Sequence, residues 1–238
     1  MNTNKNSYTL IYATVMVVIV ALTLAIVSSA LKDKQDENKR LDKMKQILSS
    51  LNVDLEGKNV SDVFNSTITQ QIVVNSKGEV LTNPKVEAFK IDIKKELAKS
   101  LEIRELPVYV ANINGESKYI FSLYGAGLWG PIWGYIALDA DKNTVFGTFF
   151  SHASETPGLG AEISLPKFQQ QFTSKKIMNE NNDFVSIAIL KAGQSVDGKD
   201  KVDAISGGTI TSKGVEDMLK NCIGQYEMYL KLTEGGNE

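Results

Sequence analysis

The sequence predicts an α+β fold: an antiparallel sheet with flanking helices, carried behind one N-terminal transmembrane helix. Three observations predict it. A long uncharged apolar run opens the chain; its second half holds several short β-branched and aromatic runs separated by turn residues; and its last forty residues carry apolar side chains at helical spacing. At 238 residues the chain is long enough for one large or two small domains with a packed core.

Residues 1–7 read as a short tail. Tyr8 to Leu31 lacks any charged residue, and its roughly 24 residues match the ~30 Å apolar layer of a bilayer. It reads as a retained anchor. The competing reading is a secretory signal, for which Ser28-Ser29-Ala30 offers small residues, but the run is longer than a usual signal core and only Lys5 precedes it. Lys32, Lys34, Lys39 and Arg40 follow the span, so the positive-inside count leans toward a cytoplasmic domain, blurred by Asp33, Asp36 and Glu37.

Residues 32–105 are expected to form a stalk and a membrane-proximal α/β part. Leu41, Met44, Ile47, Leu48 and Leu51 recur at helical spacing, which predicts a helix from Lys32 to about Ser50 with one packed face. Residues 53–78 hold β-like pieces such as Thr69 to Val74, closed by the turn Asn75-Ser76-Lys77-Gly78. Val86 to Leu101 reads as a helix after Pro84, with Lys90, Lys94, Lys95 and Lys99 on a solvated face. Residues 106–238 form the expected main domain. Its strand-like runs are Val108–Val110, Ser117–Leu123, Gly134–Leu138, Val145–Ser151 and Phe184–Leu190, with turns at Asn114-Gly115 and Asp139 to Asn143. From Lys213, the residues Val215, Met218, Leu219, Cys222, Ile223, Tyr226 and Leu230 line one helical face, with Thr211 or Ser212 as N-cap and Glu216 and Asp217 in the first turn.

Composition narrows the chemistry. A net charge of −2 and a pI near 5.6 give no basic face for nucleic acid. The single cysteine, Cys222, excludes an internal disulfide and falls on the apolar stripe of the last helix. His152, the only histidine, lacks neighbours at metal-ligand spacing and reads as a hydrogen-bonding residue, so no metal site is expected. No Gly-x-Ser-x-Gly elbow marks a serine nucleophile.

Three loops remain. Ser206-Gly207-Gly208-Thr209 precedes the last helix; it is either a plain turn or a phosphate cradle, since glycines permit close approach and a helix start offers free N–H groups. Tyr124 to Pro131 is either a loop with an anchored tryptophan or, through Leu128 and Trp129, an apolar wall for a planar ring. His152 to Gly160 contains Thr156-Pro157-Gly158, strong turn chemistry in its own right.

Together these loops carry a resemblance. Asp203, Ser206-Gly207-Gly208-Thr209 and Thr211 resemble the Asp-x-x-(Ser/Thr)-Gly-Ala-Thr flavinylation motif, with Gly208 where alanine is usual. Gly125 to Trp129, Glu155-Thr156-Pro157-Gly158-Leu159-Gly160 and Ser206 to Thr209 occur in the order found in covalent FMN-binding domains of membrane-anchored redox subunits. The anchor and the whole domain are similar to the family of C subunits of the Na+-translocating NADH:quinone oxidoreductase.

That resemblance implies FMN esterified through its phosphate to Thr209 by a separate Mg2+-dependent flavin transferase, with Ser206, Gly207, Gly208 and Thr211 about the phosphate and Asp203 in the motif. It implies Leu128, Trp129 and Leu159 against the ring, Thr156 and its backbone neighbours at the ring's polar edge, and Glu155, Gly158 and Gly160 in the same cofactor loop. Lys191 is either a positive charge near the flavin or a solvated strand-end lysine. The implied role is an electron relay from an iron–sulfur centre to another flavin subunit, in a single-pass protein of the bacterial inner membrane with its FMN domain periplasmic, against the charge count. Partners would be the other membrane subunits and lipid. Two other readings stand beside it: the G subunit of the Rnf ferredoxin-linked complex, and a membrane-anchored binding module without redox function.

Overall fold

A computed structural model describes residues 6–232; residues 1–5 of the expected tail lie outside the described residues. Helix α1, Asn6–Ser50, is continuous from the apolar run into the charged segment. Its first part, Leu10 to Leu31, exposes its large apolar side chains, as a helix long and apolar enough to cross a membrane does. By itself, the folded unit begins at Met44.

Within that unit Met44, Ile47, Leu48 and Leu51 bury the face expected from their spacing. Helix α2, Val60–Thr67, is not signalled by the sequence pattern; Asn59 caps it by accepting from the Ser61 and Asp62 N–H groups, and Phe64 faces the core. Strand β1, Ile68–Val74, follows. The helix expected over Val86–Leu101 is instead broken into a 3-10 turn at Ala88–Lys90, the short α3, Ile93–Leu97, and another 3-10 turn at Leu101–Ile103. Its apolar residues serve three separate clusters: Ala88 and Ile91 pack with Val73, Phe89 with the cluster on one sheet face, and Ile93 and Leu97 with that on the other. No straight helix reaches all three.

The main sheet is antiparallel, in the order β1, then β2 (Leu106–Ile113), β3 (Glu116–Ala126), β4 (Pro131–Leu138) and β5 (Val145–His152). Strand β1 lies before the expected boundary at 105/106 yet pairs with β2 through the register Ile72 to Val108. Asn114 and Gly115, at φ 53° and 88°, make the two-residue turn between β2 and β3 that suits strand twist. Both faces are covered. One packs Tyr119, Phe121, Leu123, Ile132 and Ile136 against Val215, Met218, Leu219 and Cys222; the other packs Tyr109, Ile120 and Tyr135 against Ile47 and Leu48.

After β5 come a 3-10 turn at Gly160–Ser164 and the four-residue α4, Pro166–Gln169. Of the strand expected over Phe184–Leu190, only β6, Ala188–Leu190, forms, and it pairs in parallel with β7, Lys201–Asp203, outside the main sheet. Helix α5, Thr209–Ile223, lies on β3, and the short α6, Glu227–Lys231, follows. Cys222 is fully buried, donates to the Tyr124 carbonyl at 3.3 Å, and has its pKa raised by burial to about 11.

Candidate functional site

Helix α5 starts four residues earlier than its apolar stripe suggests. Gly208 occupies the cap position and makes no side-chain cap; the Ser212 N–H closes the first turn onto the Gly208 carbonyl at 2.9 Å. Thr211 and Ser212 are therefore not N-caps but buried first-turn residues, and Glu216 and Asp217 fall beyond that turn. The reason is that both hydroxyls have other partners. Thr211 Oγ1 donates to Glu155 Oε2 at 2.6 Å, and Ser212 Oγ accepts from the Ile205 N–H at 3.0 Å. The N–H groups of Thr209, Ile210 and Thr211 precede the intrahelical ladder and point from the positive end of the helix.

Two loops meet this helix start. In the first, Gly127 N–H donates to the Gly130 carbonyl, and the Trp129 backbone is held at both ends: its N–H donates to Glu155 Oε1 at 2.8 Å and its carbonyl accepts from Ser154 Oγ at 2.8 Å. In the second, the Thr156 carbonyl accepts from Leu159 and Ala161 N–H, with Gly158 at φ 76° making the turn. His152 Nδ1 accepts from the Glu155 N–H at 3.1 Å, the hydrogen-bonding role expected of it.

The result is a hollow of about 210 Å3 lined by Leu128, Trp129, Glu155, Thr156, Leu159, Gly160, Gly207, Gly208, Thr209, Ile210 and Thr211. All of these but Ile210 are expected site residues, and they converge from three loops. Gly158, Asp203 and Ser206 line a separate, wider hollow with Glu162, Leu165 and Phe168. Lys191 is exposed after β6 and lines neither. Asp203 N–H donates to Gln171 Oε1 at 2.9 Å, which fixes the backbone leading into the glycine turn.

Around the smaller hollow, Leu128, Trp129, Leu159 and Ile210 are 48, 66, 42 and 59 % exposed. Four large apolar side chains left in water at one rim mark a surface that gains by being covered. A flat apolar ring with an anionic tail fits the donor set. The rim offers the ring an apolar seat, the helix start offers N–H groups to a phosphate, and the exposed Thr209 lines the same hollow. The hollow is smaller than the roughly 300–1,000 Å3 pockets that engulf a ligand, so part of the ring would stay in solvent.

Two contributors are not evident from the motifs. Ile210 joins the apolar rim. Gly214, inside α5, lies so close to the Ala126 carbonyl that any side chain would collide with it, while Gly125 on β3 faces Met218 in the same way. These glycines let α5 close on the end of β3, whose following loop lines the same hollow as Thr209. A signal for Gly214 is present in the sequence, because a mid-helix glycine costs about 1 kcal/mol relative to alanine and needs a reason.

The FMN-binding domain family matches residues 127–224, which contain every residue of the smaller hollow. Over 99 % of its length the chain is 34 % identical to the C subunit of the Na(+)-translocating NADH-quinone reductase of Haemophilus ducreyi, and it covers 98 % of that protein. The corresponding C subunit of Vibrio vulnificus is 31 % identical over 92 % of this chain and 94 % of its own. The crystal structure of the C subunit from Parabacteroides distasonis superposes with a TM-score of 0.79 at 46 % identity, over 86 % of this chain and 98 % of that one.

Proposed function

The chain belongs to the family of C subunits of Na+-translocating NADH-quinone reductase, an oxidoreductase complex, and from that premise we propose that it is the membrane-anchored electron carrier of such a complex, holding FMN on Thr209. The observation that carries the reading is the exposed Thr209, first residue of a fifteen-residue helix, lining a hollow with four exposed apolar side chains.

Thr209 is the tether and not a redox group. In its attachment, Thr209 Oγ forms a bond to the FMN phosphorus of FAD, the pyrophosphate P–O bond breaks, AMP leaves, and the hydroxyl proton passes to a base of a separate Mg2+-dependent flavin transferase. The N–H groups at the start of α5 then face the phosphate, and the glycine turn lets the backbone come close to it. Leu128, Trp129, Leu159 and Ile210 exclude water from one side of the ring, and Thr156 offers its hydroxyl to the polar edge. When bound, FMN supplies the electron transfer, while the protein sets its position and potential.

The partial seat suits a relay, because a flavin with one side in solvent is reachable by a donor and an acceptor in neighbouring subunits. We infer an iron–sulfur centre as donor and another flavin subunit as acceptor, with the domain on the periplasmic side of the bacterial inner membrane. The apolar span, Tyr8 to Leu31, has no charged residue to carry Na+. Ion movement and NADH oxidation then belong to partner subunits.

Intact mass and peptide mapping of the full chain, expressed in membranes beside a flavin transferase, test the reading. The expected result is an added FMN less one water on the peptide bearing Thr209, absent from Thr209→Val. An unmodified Thr209, where a control domain is modified by the same transferase, refutes it.

A further inference from the structure

Glu155 is the one carboxylate in the wall of the smaller hollow, and it is 5 % exposed. Everything around it fixes its two oxygens. Oε1 accepts from the Trp129 N–H at 2.8 Å, and Oε2 accepts from Thr211 Oγ1 at 2.6 Å. The Glu155 N–H is itself tied to His152 Nδ1 at 3.1 Å. Gly127 and Gly160 close on the carboxylate from two further sides: a Cβ on Gly127 would collide with Oε1, and one on Gly160 with both Oε2 and Thr211 Oγ1. Each of the three loops of the site thus contributes to holding this one group.

A strut of this kind does not require a charge. A glutamine has the same length, could accept from Trp129 N–H through its carbonyl, and could donate to a turned Thr211 hydroxyl through its amide. What a carboxylate adds is a negative charge, and burying one is costly unless it is hydrogen-bonded. The first turn of α5 offsets that cost, because Thr211 is its third residue and the helix N-terminus favours an anion.

We propose that Glu155 is both the positioning residue that joins the three loops and the fixed negative charge that holds the flavin potential low. The inference rests on the proposed function, since it needs FMN in this hollow. A negative charge in the wall opposes the arrival of electrons on the ring. At a separation of about 10 Å and an effective dielectric of about 20, a unit charge changes the reduced-to-oxidised ratio roughly tenfold. For a two-electron couple, tenfold is about 30 mV.

The test is a redox titration of the full chain, flavinylated in membranes and purified in detergent, for wild type, Glu155→Gln and Thr211→Ser. Glu155→Gln is expected to keep its flavin and to raise the midpoint by about the tenfold equivalent. Thr211→Ser keeps both the charge and the hydroxyl that donates to it, so its midpoint is expected to match wild type. A purely structural strut predicts no rise specific to the loss of charge. Equal midpoints in wild type and Glu155→Gln overturn the inference, as does an equal rise in Thr211→Ser. Failure of Glu155→Gln to take up flavin overturns it too, because the glutamine is then no neutral copy of the strut. Wild-type chain without flavin on Thr209 overturns the proposed function itself, a failure distinct from any pattern of midpoints among flavinylated variants.

Discussion

Two glycines with left-handed backbone frame the site, and they are matched in all but one respect. Gly158 has φ 76° with open space where a Cβ would stand; Gly207 has φ 74°, but its Cβ would lie 2.6 Å from Leu159 Cδ2. Gly158→Ala therefore meets only the left-handed penalty of about 1–2 kcal/mol. Gly207→Ala meets the same penalty and must also turn Leu159 out of its rotamer, at about 0.5–1.5 kcal/mol. The sum for Gly207→Ala is about 1.5–3.5 kcal/mol, and Leu159→Ala in the same chain should recover only the contact share. Urea unfolding followed by circular dichroism reads these values and that of Leu159→Ala alone, with stability differences taken from midpoints at a common slope. Because Leu159 lines the hollow, Gly207→Ala should also slow the proposed flavin attachment to Thr209, whereas Gly158→Ala should affect it less. Equal costs for the two alanine variants, or no recovery on removing Leu159, would refute the assignment of Gly207 to a contact with the rim.

Alkaline stability follows from Cys222. Its folded pKa of about 11 exceeds the ordinary value of 9, so above pH 9 the unfolded chain has lost a proton that the folded chain keeps. Stability should fall between pH 9 and pH 11 by roughly 2–3 kcal/mol from this group, and Cys222→Ala should flatten that part of the curve in denaturant titrations at stepped pH. Tyr109 and Tyr226, raised by burial as well, add a further loss at higher pH that the variant leaves in place. Removal of residues 1–31 should yield a chain that no longer sediments with membranes yet unfolds in one transition like the full chain, because the compact unit begins at Met44; a loss of cooperative unfolding would contradict that boundary.

What can be read from the sequence divides along the distance over which a residue acts. The sheet is legible because alternation and turn chemistry are local: Asn114-Gly115 announces its hairpin, and the strand from Val145 runs to about the predicted length. Strand β7 is not, since Lys201-Val202-Asp203 offers one apolar residue and exists as a strand only through its parallel partner. The broken segment over 86–101 misleads for a related reason, its apolar residues being divided among three clusters that no local period reveals. In the site, the three loops can be named from their motifs, but not the carboxylate contacts that join them. Glu155 lies 26 residues from Trp129 and 56 from Thr211, and nothing between them signals the contact. The N-cap is misplaced in part for the same cause: Thr211 and Ser212 are ordinary capping residues by composition, but Thr211 is held inside the helix by the distant Glu155 and Ser212 by Ile205, seven residues back. Gly214 is the instructive middle case. A glycine in the interior of a helix weakens it by about 1 kcal/mol, so its presence between Lys213 and Val215 already implies a close backbone neighbour, though not that the neighbour is Ala126 at the end of β3. The helix gives up local stability at the one position where doing so lets its backbone close on the end of β3.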